Sequence, residues 1–154
     1  MIYHYVGIDP GLKGGLAVML HDQTARAIPM PVAGDELDGR AISDWLRGYN
    51  NVLVTVEKVG AMPGQGLSST FKFGKGYGTV LGVCAALGLR VELVTPQKWK
   101  GEVLAGTAKD KDAAIAYCRR VFPSVELILP RCRVPHDGLA DSLAIAEYGR
   151  RTYR

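Results

Sequence analysis

The sequence predicts an α/β domain built on a mixed five-stranded sheet, an antiparallel meander followed by parallel strands, with helices on both faces. Three observations carry this. Strand-like runs at 2–8, 16–20 and 24–30 follow one another with only glycine, proline and polar turns between them, the pattern of a meander. Two more strand-like runs, at 51–59 and 90–95, alternate with helical patterns. And 154 residues, 47% hydrophobic and 22% charged, suit one domain with its own core, so residues 1–154 form a single expected unit.

Each element has a local reason. The run at 2–8 alternates β-branched and aromatic residues and ends on Asp9. Pro10, Gly11, Gly14 and Gly15 punctuate the turn, 16–20 returns, and a short third strand at 24–30 is stopped by Pro29 and Pro31. Leu37, Ile42, Trp45 and Leu46 fall at helical spacing and predict a helix over 36–49. "NVLVTVEKV", 51–59, is nearly continuously apolar, as a strand buried on both faces is, and carries one acid, Glu57, near its end. Residues 60–74 read as a glycine-bearing polar loop that contains Phe71, Lys72 and Phe73. The segment 77–87 predicts a helix with no polar face, which must be fully buried or shared with another subunit. A strand at 90–95 ends at Pro96. A short helical turn, a helix over 109–121 and a last helix through "HDGLADSLAIAEYG" complete the chain, with no internal repeat.

Composition narrows the function classes. A net charge of +4 and a pI near 9.0 favour a polyanionic partner. Cys84, Cys118 and Cys132 are odd in number and lack metal-like spacing, so free thiols in a reducing compartment are expected. The first residues run directly into a strand pattern without a charged leader, and every apolar run is shorter than the about 20 residues that a spanning helix needs. A soluble, cytoplasmic protein is the expectation, with no membrane partner.

The acids carry the chemistry. Asp9 and Glu57 each end a hydrophobic strand, so they project at one sheet edge if those strands are neighbours. Asp137 and Asp141, four apart on the last helix, lie about 40° apart on its surface, whereas His136 lies roughly 140° from Asp141. Like charges at this spacing repel, and a divalent cation removes that cost. Four acids from three elements suit two ions about 4 Å apart, an arrangement that activates water and stabilises a leaving oxygen in phosphodiester cleavage. The plainer reading of each acid alone is a turn residue, a first-turn helix acid or a surface ion-pair partner.

"GIDPG" with "GGLAV", "VTVEKV" and "HDGLADSLAIAEYG" resemble the three motifs of the RuvC-type Holliday junction resolvases, of the ribonuclease H-like superfamily. "TPQKWK" and "KDKDAAIAYCRRVFP" are similar to segments of the phage and organellar branches, and the likeness runs from Tyr5 to Gly149. The resemblance implies a ribonuclease H-like fold and a structure-selective endodeoxyribonuclease that resolves four-way DNA junctions. It implies Mg²⁺ or Mn²⁺, two ions per site, held by Asp9, Glu57, Asp137 and Asp141 as both catalytic and metal-binding residues. It departs at one position: bacterial members carry the penultimate ligand three residues before the last, where this chain has Gly138. Asp137 stands one residue earlier, where the organellar-type branch has a histidine, which leaves His136 as an accessory group.

Phe71, Lys72, Phe73 and Lys75 interleave aromatic rings with cations, which suits a base step unstacked beside its phosphate, though one ring in the core and solvated lysines fit as well. Lys111 alone reads as part of a solvated first turn, and the resemblance places it near the scissile phosphate. Trp99 and Lys98 read as a core plug and a surface charge. The family's twofold homodimers make the 77–87 helix the expected interface. Two other activities remain open: a ribonuclease H-like or general branched-DNA nuclease, which the same acids would serve, and an actin-like or sugar-kinase-like ATP-binding module. The last needs a second phosphate loop and a second domain, for which 154 residues leave no room.

Overall fold

The period of two along the first strand sends Val6 and Ile8 to one side and Tyr5, Gly7 and Asp9 to the other, and the site grows from this division. The computed structural model describes residues 3–108, 110 and 112–153. In chain order the main strands are β1 (His4–Asp9), β2 (Gly15–Met19), β3 (Ala25–Pro29), β6 (Val52–Glu57) and β7 (Arg90–Val94). They form one sheet in the order β3-β2-β1-β6-β7, antiparallel from β3 to β1 and parallel from β1 to β7. This is the predicted mixed sheet. A separate two-stranded hairpin pairs β4 (Val32–Ala33) with β5 (Glu36–Leu37).

One face of the sheet packs under α1 (Gly39–Leu46) and α2 (Leu67–Ala86), where Val6, Ile8, Val54 and Val56 meet Ile42, Leu46, Val80 and Cys84. The other face lies against α3 (Pro96–Val103), α4 (Ala113–Val121) and α5 (Asp137–Thr152), with Ala17, Met19 and Val94 against Trp99, Cys118, Leu139 and Leu143. The central strands are therefore apolar on both sides, which explains their continuous hydrophobic runs.

The fit of α5 on the sheet is backbone to backbone. A Cβ at Gly7 would lie 2.1 Å from the Ser142 carbonyl oxygen and 2.3 Å from the Ala146 nitrogen. One at Gly15 would lie 2.6 Å from the Gly138 oxygen, and one at Gly138 would lie 2.3 Å from the Lys13 oxygen. Only hydrogen fits at these crossings, so glycine on both elements sets how close the helix lies. The far end of α5 is tied as well. Glu147, 3% exposed, accepts hydrogen bonds from Arg150 and Arg151, and Arg151 also donates to the Tyr117 hydroxyl and the Glu102 carbonyl.

Two segments differ from the sequence expectation. The helix expected over 36–49 occupies only Gly39–Leu46, because Glu36–Leu37 pairs back onto Val32–Ala33 and Asp38 accepts a hydrogen bond from Ala41 N, capping the helix there. The loop expected over 60–74 ends early, and α2 begins at Leu67, so Phe71, Lys72, Phe73 and Lys75 are helical. The expected loop runs through Gly74 and leaves Gly76 outside the helix expected from 77, yet a glycine costs a helix only about 1 kcal/mol against alanine. Packing outweighs this: Gly76, Val80 and Cys84 are buried, and Gly76 seats the Leu37 side chain. Of the two expectations for the apolar helix over 77–87, full burial is not met: Gly78, Gly82, Ala85 and Ala86 face solvent in the single chain. Among the described residues no helix is long and apolar enough to cross a membrane.

Candidate active site

Parallel pairing brings the C-terminal ends of β1, β6 and β7 to one edge. The β1–β6 register pairs Ile8 with Val56, so Asp9 and Glu57 follow in the same row, on the face that meets α5. The glycine contacts then set the first turns of α5 onto the 13–15 turn beside Asp9. Three elements thus deliver Asp9, Glu57 and Asp141 to one place, with Asp137 exposed at its rim. Asp137 and Asp141 also line a cleft of about 810 Å³ that runs between Gln97, Lys100 and Leu104 of the α3 end and Ala113, Ala114 and Ile115 of α4.

The electrostatics record how close the acids are. Burial raises the Asp9 carboxyl, and a hydrogen bond from Gly11 N (3.3 Å) with the nearby charges of His136 and Lys100 opposes it. Burial raises Glu57 as well; the hydrogen bond from the Trp99 indole (2.6 Å to Oε2) opposes this, Asp9 adds to it and Lys100 opposes it. Asp141 is pushed furthest, from its ordinary 3.8 up to about 7, by burial first and then by Asp9, with Lys100 opposing and Glu57 and Asp137 adding. A raised carboxyl favours the protonated fold, so the protein loses stability as pH climbs from about 4 to about 7 and the loss is complete above that. Asp141→Asn is therefore expected to be more stable than the wild type at pH 7.5 in a chelator, by roughly 2–4 kcal/mol, and to lose that advantage near pH 4. Thermal unfolding across this range checks it. Parallel curves for the two proteins would show that the carboxylate is not repelled.

His136 is placed differently from its helical arithmetic. It is the N-cap of α5, with extended backbone, and its Nδ1 accepts a hydrogen bond from Leu139 N at 3.2 Å. The roughly 140° separation presumed a helical His136; at the cap its charge bears on Asp9. Gly138, where bacterial resolvases carry an acid, is pressed onto Lys13 and Gly14 and has no room for a side chain. Two contributors went unread. Lys100 faces the three partly buried acids with its ammonium 5.3 Å over the Trp99 ring, and Trp99, 0% exposed, is both core plug and Glu57 partner. The signal was available: "PQKWK" follows directly on β7, whose end shares the edge of Asp9 and Glu57.

Phe71 is 74% exposed, whereas Phe73 is partly buried with its ring 3.9 Å from where a Gly11 side chain would begin, next to the Asp9 turn. Lys72 and Lys75 form ion pairs with Asp35 (2.5 Å) and Glu36 of the β4–β5 hairpin, so a phosphate reaching them must compete with those acids. Both pairs are exposed and hence weak. Lys111 lies outside the described residues.

No family model matches the chain. It is 31% identical over 134 residues to the chloroplastic Holliday junction resolvase MOC1 of Chlamydomonas reinhardtii, covering 87% of this chain and 14% of that one, about a seventh of its length. The structure of Thermus thermophilus RuvC superposes with a TM-score of 0.63 at 24% identity, over 98% of this chain and 96% of that one. The chain has the RuvC fold. T. thermophilus RuvC in complex with a Holliday junction substrate agrees with this fold (TM-score 0.62, 21% identity, 92% and 88% coverage). So does Ydc2, the yeast mitochondrial Holliday junction resolvase (0.52, 15%, 94% and 75%).

The carboxylates of this RuvC fold suit hard divalent cations. Among the described residues no three His, Cys, Asp or Glu side chains converge tightly enough to cage one ion. Mg²⁺ does not ask for a cage, because it keeps several waters and binds through one or two carboxylates plus substrate phosphate. Buried acids that raise one another are a donor set whose repulsion such a cation relieves.

Proposed function

We propose that this protein is a structure-selective endodeoxyribonuclease that resolves four-way DNA junctions by paired, divalent-metal-dependent phosphodiester hydrolysis. The observation that carries the proposal is the convergence of Asp9, Glu57 and Asp141, mutually repelling and partly buried, at the open edge of a RuvC-fold sheet. The names of the similar proteins, all Holliday junction resolvases, support the choice of substrate. Asp9, Glu57, Asp137 and Asp141 would hold up to two Mg²⁺ or Mn²⁺ ions. When bound, such ions lower the pKa of water and offset the charge that grows on the scissile phosphodiester. The chain's own groups prepare that step. Asp9 and Glu57 present oxygen donors from rigid strand ends, and Lys100 supplies a fixed positive charge beside them. Phe71 and Phe73 would unstack a base step, with Lys72 and Lys75 reaching its phosphates. Lys111 belongs to the same proposal by resemblance.

Cleavage of a synthetic four-way DNA junction, with Mg²⁺ present or chelated and an RNA–DNA hybrid as competing substrate, tests the reading. Symmetric metal-dependent nicks in the junction are expected. Preference for the hybrid would make the protein a ribonuclease H instead.

Two strands cut per junction call for two sites. The outward face of α2 offers small residues at Gly74, Gly78, Gly82, Ala85 and Ala86, with no side chain against the three glycines, beside partly exposed Leu81. We assign this face to a second copy of the chain. Gly82→Glu strands a charge in that contact, so a folded monomer that binds junctions weakly and fails at paired incision is expected. Sedimentation checks this, and a wild-type monomer at micromolar concentration that still cuts both strands would sink it.

A further inference from the structure

We propose that Trp99 is a positioning residue for the carboxylate site: its indole N–H occupies one oxygen of Glu57 and so fixes the direction in which the other is offered to a divalent cation. The inference rests on the metal-site reading above. An indole has one donor and no acceptor, and at 0% exposure it cannot turn to water. Its partner is Glu57 Oε2 at 2.6 Å, a short bond strengthened by the carboxylate's charge. The terminal torsion of a glutamate is otherwise broad, so an unheld Glu57 at a strand end would sample many headings. The indole itself cannot follow such movement. Trp99 sits in the first turn of α3, which Pro96 begins and Thr95 caps through Lys98 N, and α3 leaves β7 directly beside Glu57, where Val94 pairs with it. The ring is clamped in the core with Val94, Val103 and Leu143. Its face meanwhile carries the Lys100 ammonium, so one buried side chain orients both an acid and the cation opposite the acids.

Groups that orient a ligating carboxylate commonly change metal affinity or activity by about tenfold to a hundredfold when removed. Trp99→Phe deletes the N–H and keeps most of the ring. Val103→Ala, on the same helix and in the same core, lowers stability without touching Glu57. Mn²⁺ affinity of the free proteins by calorimetry, thermal unfolding, and junction cleavage against metal concentration form the test. Trp99→Phe is expected to weaken Mn²⁺ binding about tenfold or more, and to raise the metal needed for half-maximal cleavage by a similar factor. Val103→Ala should lose a comparable unfolding temperature and keep wild-type Mn²⁺ affinity. Mn²⁺ binding by Trp99→Phe within about twofold of wild type, or equal weakening in Val103→Ala, would assign Trp99 to packing alone. If the wild type binds Mn²⁺ and cuts junctions while Trp99→Phe does the same, only this inference falls. A wild type that binds no Mn²⁺ removes the metal-site reading and this inference with it.

Discussion

Asp9→Asn and Glu57→Gln are expected to lower junction cleavage by about a thousandfold or more while the proteins stay folded and bind junctions as well as the wild type. Each substitution keeps the side chain's shape and removes the charge that a divalent cation requires. Binding is spared because it comes from lysines, arginines and aromatic rings elsewhere, and removing an acid beside the phosphate path weakens a repulsion. Asp141→Asn should behave in the same way, since Asp141 is the acid most strongly opposed by its neighbours. Asp137→Asn is the informative exception, because Asp137 is exposed at the rim. Retained cleavage there would move the fourth ligand to His136, whose Nδ1 is committed to Leu139 N while Nε2 has no such role. Cleavage retained by Asp9→Asn or Glu57→Gln, in an assay on a labelled junction with Mg²⁺, removes the metal-site hypothesis altogether.

Gly7→Ala is expected to be among the most damaging single methyl additions at the described residues. The added carbon would stand 2.1 Å from one α5 backbone atom and 2.3 Å from another, and neither can rotate away as a flexible side chain would. Either α5 lifts from β1 or the sheet bends. Overpacking of this kind costs typically 1–3 kcal/mol, and more where backbone must move, so a loss of roughly 3 kcal/mol or more is expected. Lifting α5 also draws Asp141 from Asp9, so cleavage should fall further than the unfolded fraction explains. Gly101→Ala in α3, exposed and with nothing within 4 Å of its Cβ, is the matched control and should stay at wild-type stability or above. Denaturant unfolding of the two variants decides. A Gly7→Ala protein within about 1 kcal/mol of wild type would show that α5 is not held by this contact.

The sheet was legible because its signals are local. Alternation around Val6 and Ile8, the prolines at 29 and 31, and the β-branched run through Val56 each act within a few residues. The convergence of Asp9, Glu57 and Asp141 was legible for the same reason: strand ends and a helical step are short-range facts. What escaped depended on contacts distant in sequence. Gly76 stands outside the helix expected from 77 until Leu37 from the hairpin is seated on it. Trp99 reads as core until Glu57, 42 positions away, is found at its nitrogen. Lys72 and Lys75 read as solvated until Asp35 and Glu36 turn back toward them. The 140° angle assigned to His136 does not apply because it carries helical geometry one residue past the helix start, where a cap obeys different angles.

The shared row of Asp9 and Glu57 in the parallel β1–β6 ladder makes this protein more vulnerable to changes in length than to changes in letters. Along a strand, one inserted or deleted residue reverses the facing of everything beyond it. A single-codon deletion between Val52 and Thr55 would therefore turn Glu57 toward α2 and carry Lys58 into its place, even though every acid in the chain survived. Descendants of such a gene can drift widely in composition along these strands, yet they cannot alter the spacing between the strand start and its terminal acid. Insertions should instead accumulate in the exposed stretch at 60–66, where no register has to be kept.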